Sequence, residues 1–186
     1  MFHGRFRVIW RIESTTAIRA NPGQFVAVFA RRVETGLLRG ASGRRSQYRV
    51  THQDANGLGF RAADWLTAFN VGLNDVQAAA SSDGLVSYTI EYQRWAAYVL
   101  VLGATVGIVL MAILLMFDMR GYIARHRASQ FPGLSTDQNV AIAWAMAVFW
   151  GFIWPWILIA LHKWPLRRLM DQIIAEVDAA ALLDAR

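Results

Sequence analysis

The residues able to do chemistry are few and scattered. His3, His52, His126 and His162 fall in four separate segments, whereas a metal site draws ligands from a few consecutive residues or from one helix face. The nearest approach to a ligand pair is His52 with Asp54, and a polar hairpin accounts for both. Absence of cysteine removes thiolate ligands, disulfides and a cysteine nucleophile. Asp171 and Glu176 do not share a helical face, and Asp178 extends a solvated side. Serine elbows, phosphate loops and paired carboxylates on one helix are likewise missing, so no catalytic, metal or cofactor-binding residue is assigned. The expectation is a protein that is not an enzyme.

Charge gives the next constraint. The net charge is +6, and Lys163 is the one lysine among nineteen basic residues. Anionic lipid head groups, an acidic subunit or nucleic acid could each answer such a balance. Arginine doublets at Arg31-Arg32, Arg44-Arg45 and Arg167-Arg168 read as solvated surface, with head-group or partner docking as the functional option.

The stretch "NGLGFRAA", Asn56 to Ala63, resembles the first ribonucleoprotein motif of the RNA recognition module, through Gly57, Gly59 and Phe60. That resemblance implies a strand whose aromatics stack bases. Asn56, Leu58 and Ala63 depart from it where a basic residue and two aromatics are expected. One aromatic makes no base platform, so nucleic acid is not the expected partner; a turn leading into a buried Phe60 is preferred to an RNA-binding module.

These residues need elements to position them, and residues 1–93 read as strand, helix, strand, strand, helix, strand. "FRVIWRIE" (Phe6 to Glu13) alternates like a strand. Asn21 caps a helix with Pro22 at its first position and Phe25, Val28, Phe29, Val33 and Leu37 on one face. "QYRVTH" and "LGFRAA" flank the turn "DANG". Asp64 caps a second helix with Trp65, Leu66, Phe69, Leu73 and Val76 inward, and "SSDG" ends it before the strand "LVSYTIEY". This βαββαβ order predicts a small ferredoxin-like α+β domain.

Beyond Arg94 the character changes. Trp95 to Phe117 and Val140 to Leu161 contain no Asp, Glu, Lys, Arg or His, and each is long enough to cross about 30 Å of hydrocarbon. The expected layout is transmembrane helix 1 at 94–117, a loop at 118–139, transmembrane helix 2 at 140–162 and an amphipathic C-terminal helix at 163–186. Gly103 and Gly107 on the first span, with Ala143, Ala147 and Gly151 on the second, form small stripes suited to close helix packing. Without charge inside the spans, transport and ion conduction lose their usual machinery.

The second span carries "FWGFIWPWILIALHKW" (Phe149 to Trp164), in which Pro155 predicts a kink and frees the Gly151 carbonyl. Trp150 and Trp154, on one face, are candidate contacts for lipid or a partner, as are Arg167 and Arg168. From Leu166 to Val177 apolar residues recur at helical spacing, fitting a helix started by Pro165 that lies on the bilayer or packs on the domain or a neighbour.

Arg94, Lys163, Arg167 and Arg168 flank one end of the spans, and Arg120, Arg125 and Arg127 the other, which favours both termini in the cytoplasm. "MFHGRFRVIWRIES" lacks the apolar core of a signal peptide. The expectation is an accessory or assembly subunit of a complex in the bacterial inner membrane, with other membrane subunits and anionic head groups as partners. A photosynthetic or respiratory assembly would be a natural host. The alternative is a membrane-tethered sensor whose α+β domain binds a small ligand or effector protein.

Overall fold

The computed structural model describes residues 10–37, 47–126 and 131–185. His3, residues 6–9 of the expected first strand, the Arg44-Arg45 doublet, Arg127 and Arg186 lie outside the described residues. The chain is α+β and divides into two units, Met1–Ala96 with His162–Arg186, and Ala97–Leu161.

In the first unit, β1 (Arg11–Ala17), β2 (Tyr48–Gln53), β3 (Gly57–Ala62), β4 (Asp75–Ala80) and β5 (Leu85–Glu91) form one sheet. Its order is β1-β5-β4-β3-β2, with every neighbour antiparallel. The helices α1 (Pro22–Gly36) and α2 (Trp65–Val71) interrupt the strands. The element order is therefore βαββαββ, a five-stranded antiparallel sheet in place of the four-stranded ferredoxin-like arrangement expected.

The discrepancy lies at "DVQAAA". The Asp64 carboxylate caps the Thr67 amide at 2.6 Å, and α2 stops at Gly72, whose φ of 80° is the left-handed turn that glycine adopts without strain. Val76, Ala78 and Ala80 then point into the core while Gln77 and Ala79 face out. Alanine on both faces hides this alternation, so Leu73 and Val76 read as a continuing helix stripe. Both are buried, but from a loop and a strand. "SSDG" turns β4 into β5, with the Ser81 amide donating to the Leu85 carbonyl at 2.8 Å.

Register sorts the sheet into two faces. Ile12, Ile90, Val76 and Phe60 lie side by side on four strands and are all buried. Arg11, Glu91, Asp75 and Arg61 form the adjacent row on the open face. Over β2 and β3, α1 covers the buried face, with Phe29 meeting Phe60 edge-on at 5.6 Å. The Asn21 side chain accepts from the Gly23 amide, and Pro22 opens the helix as its sequence predicts.

The remaining cover comes from the far end of the chain. Thr136–Asp184 is helical over 49 residues, comprising α5 (Thr136–Val148), a π turn (Phe149–Ile153) and α6 (Trp154–Asp184). Pro165 lies inside α6 and does not start a new helix. A proline costs an interior helix about 3 kcal/mol; the burial that follows outweighs this, because Leu166, Met170, Ile173, Ile174, Val177 and Ala181 are all 0–4% exposed. Polar ties fix this segment beside β1 and β5. The Asp178 carboxylate accepts from the Arg19 and Ala20 amides, each at 2.9 Å, and Asp171 accepts from the Thr16 hydroxyl at 2.7 Å. The C-terminal segment is thus a further helix of the domain's own core.

The second unit contains most of α3 (Gln93–Met116) together with α4 (Met119–Arg125), α5, the π turn and the start of α6. Where a plain loop was expected, Asp118 caps α4 by accepting from the Gly121 amide. Arg120 pairs with Asp137 at the start of α5. Both α3, whose most apolar 18-residue window has a mean hydropathy of 2.8, and the helix from Thr136, whose corresponding window has 1.8, are long and apolar enough to cross a membrane.

Candidate functional site

Each described histidine has a local partner other than a metal. His52 Nε2 lies 2.9 Å from Asp54; His126 stacks on Tyr122 with centroids 4.4 Å apart; His162 stacks on Trp95 at 3.8 Å and 12°. Among the described residues no group of three His, Cys, Asp or Glu side chains could hold a metal ion. At the β2–β3 turn the Asn56 amide donates to Asp54 at 2.9 Å. That bond, the neighbouring His52 and the Gly57 amide hold the Asp54 carboxyl below the usual carboxylate range. This is turn chemistry.

The glycine-rich β3 motif divides between the faces. Phe60 is 1% exposed and packs in the core against Phe29 and Tyr48, so it offers no ring for a base to stack on. Around Gly57 on the open face lies a depression of about 730 Å³, edged by Arg11, Glu13, His52, Asp54, Gln77 and Thr89. Its polar groups largely answer one another, since Arg11 pairs with Glu13 and His52 shares a hydrogen bond with Asp54.

The acidic residues of α6 serve docking. Besides Asp171 and Asp178, Glu176 reaches Arg32 at 3.2 Å and Asp184 reaches Arg31 at 3.4 Å; the first arginine doublet is therefore paired with carboxylates of the chain itself. Asp178, expected on a solvated side, instead caps two backbone amides. The Tyr88 hydroxyl donates to Asp171 at 2.7 Å, and burial, followed by this hydrogen bond, pushes its pKa up to about 12. Tyr92 is raised to about 12 by burial.

A phenol whose folded pKa exceeds its unfolded value near 10 contributes stability that is whole below pH 10 and is lost as pH climbs through 12. Alkaline titration followed by circular dichroism should therefore show unfolding in that window. Tyr88→Phe should make the pH dependence shallower, leaving the share due to Tyr92 and to Tyr48, whose pKa burial also raises.

Of the residues expected to pack helix on helix, Gly103, Gly107 and Gly151 lie together. A Cβ built on Gly107 would stand 2.7 Å from the Gly151 Cα, and one on Gly103 would collide with the Pro155 ring. Ala147 is buried and Ala143 half-buried. The π turn supplies the distortion expected at Pro155: the Trp154 amide bonds to the Phe149 carbonyl, skipping one residue.

Trp150 and Trp154 meet edge-on at 5.1 Å, and Phe149 meets Trp150 at 5.6 Å. Trp150 is 43% exposed and Trp154 half-buried, so the cluster forms an aromatic ledge on the second unit. Arg168 lies over the Trp164 ring at 4.0 Å, and Arg167 stands 4.0 Å from Asp171. The Trp95–His162 stack and the Thr16–Tyr88–Asp171 cluster escape sequence reasoning because they join distant segments; the one signal was a histidine placed where the second apolar run ends. Compared with protein families, with curated proteins and with solved structures, the chain has no match.

Proposed function

We propose that this chain is a non-catalytic, membrane-anchored accessory or assembly subunit of a larger membrane complex, held in the bacterial inner membrane by two spans. The observation that carries the reading is the bareness of α3, whose most apolar 18-residue window is only 6% buried. Val101, Leu115, Met116 and Phe117 are each more than half exposed, and leaving such a side chain in water forgoes about 1.5–3 kcal/mol. Lipid removes that cost. Two spans put the segments that flank them on one side, and the basic residues of the first unit next to the spans favour the cytoplasm.

The accessory role is supported by what surrounds the spans. Their interiors lack the charged residues of a conducting path, and the Phe149–Trp150–Trp154 ledge offers rigid aromatic area for a neighbouring subunit. Affinity purification from native membrane in mild detergent, followed by mass spectrometry, is expected to recover companion membrane subunits in fixed proportion. A lone monomer after such extraction would overturn the reading. The depression on the open sheet face favours a second possibility, a tethered ligand-binding domain, and thermal-shift screening of the solubilised whole chain against nucleotides and amino acids separates the two.

A further inference from the structure

We propose that Arg94, Lys163, Arg167 and Arg168, with the Trp164 indole beside them, form a collar that binds the phosphate head groups of anionic phospholipids. The inference rests on the two-span reading above and assigns its lipid contact to particular residues. Trp95 of α3 and His162 of α6 stack face to face at 3.8 Å, clamping the two helices side by side within the first unit. Arg94 precedes one of these rings and Lys163 follows the other, so cations from both helices reach the same level.

One turn further along α6, Arg168 lies over Trp164, whose indole is 63% exposed. Arg167 completes the group. Its nearest carboxylate, Asp171, is 4.0 Å away and already accepts hydrogen bonds from Tyr88 and Thr16. Among the described residues, Arg94, Lys163 and Arg168 have no ion pair, in contrast to Arg31 and Arg32, which Asp184 and Glu176 neutralise. Glu91 is the nearest acidic residue before Arg94 in sequence.

Position selects lipid over an acidic protein. In sequence the four cations closely follow or precede the uncharged runs 95–117 and 140–161, the level at which phosphates lie if those runs cross the bilayer. An exposed indole beside guanidinium groups suits that zone, being apolar in its rings and polar at its nitrogen. Each basic residue near an anionic leaflet adds to the attraction.

The test uses the full chain purified in mild detergent and then placed in nanodiscs of phosphatidylcholine with or without phosphatidylglycerol. Lipid retained per chain is read by native mass spectrometry. The triple variant Arg94→Gln, Lys163→Gln, Arg168→Gln is expected to stay in the membrane through carbonate extraction yet to retain at least about tenfold less phosphatidylglycerol. The control Arg31→Gln, Arg32→Gln, whose cations Asp184 and Glu176 already neutralise, should retain as much as the unmodified chain. Equal retention by the triple variant would overturn the collar, as would its loss of an acidic protein partner with lipid retention unchanged. Release of the unmodified chain by carbonate would instead sink the two-span reading, and the collar with it.

Discussion

Replacing Ile174 by aspartate is expected to unfold the first unit. Ile174 is 0% exposed and sits between Met170 and Val177 on the stripe that α6 lays against the domain. A buried carboxylate without a partner costs upwards of about 4 kcal/mol, against a total stability of about 5–15 kcal/mol for a domain. Near-ultraviolet circular dichroism and limited proteolysis of the solubilised chain would report the loss. Leu183→Asp, at a position 70% exposed, should leave both signals unchanged.

Truncation after Leu161 is the coarser form of the same experiment. It removes Leu166 through Ala181 from the core, together with the Asp178 carboxylate that caps Arg19 and Ala20, and the remaining α+β segment should not hold its fold. If the truncated chain, or Ile174→Asp, kept native dichroism and protease resistance, the amphipathic helix would not be the domain's cover. Its apolar face would then be free for the bilayer surface.

The contrast between α1 and α6 shows what the sequence alone could disclose. Everything that defines α1 lies within its own residues: the Asn21 cap, Pro22 and the Phe25, Phe29, Val33 face. The two apolar runs are legible for the same reason, since length and absence of charge are local properties. Amphipathicity in α6 was equally plain, but its destination was not, because Thr16 and Asp171 stand 155 positions apart and Arg19 and Asp178 stand 159 apart. Nothing near Asp178 distinguishes a backbone-capping carboxylate from a solvated one.

The missed strand has a different cause. Alternation announces a strand only where the two faces differ in chemistry, and "DVQAAA" puts Ala79 outward between inward Ala78 and Ala80. Alanine also favours helix intrinsically, so propensity and spacing both pointed the wrong way. Pairing with β3 and β5 decided the matter. The candidate contacts divide along the same line. Gly103, Gly107 and Gly151 are readable as small residues at helical spacing, whereas the nearness of Arg94 to Lys163 is visible only once Trp95 and His162 are seen to stack.

Those glycines carry the second large effect. Gly107→Leu should pry α3 from the π turn. Even the first carbon of the new side chain would stand 2.7 Å from the Gly151 Cα and 2.9 Å from the Phe152 ring. Phe152 can swing aside, but a backbone carbon cannot. Overpacking of this kind costs about 1–3 kcal/mol in soluble cores, and within a bilayer no hydrophobic drive opposes the separation, because lipid chains are as apolar as leucine. The apparent melting temperature in mild detergent should fall by several degrees, with Gly107→Ala falling less and Val106→Leu, at a position 42% exposed, not at all. Tryptophan emission should shift in parallel, since Trp150 lies within the displaced turn and Trp154 follows it. Equal melting of Gly107→Leu and Val106→Leu would show that the glycine contact does not hold the pair together. The aromatic ledge would then need another support, because it is the close approach at Gly151 that fixes the turn from which Phe149, Trp150 and Trp154 project.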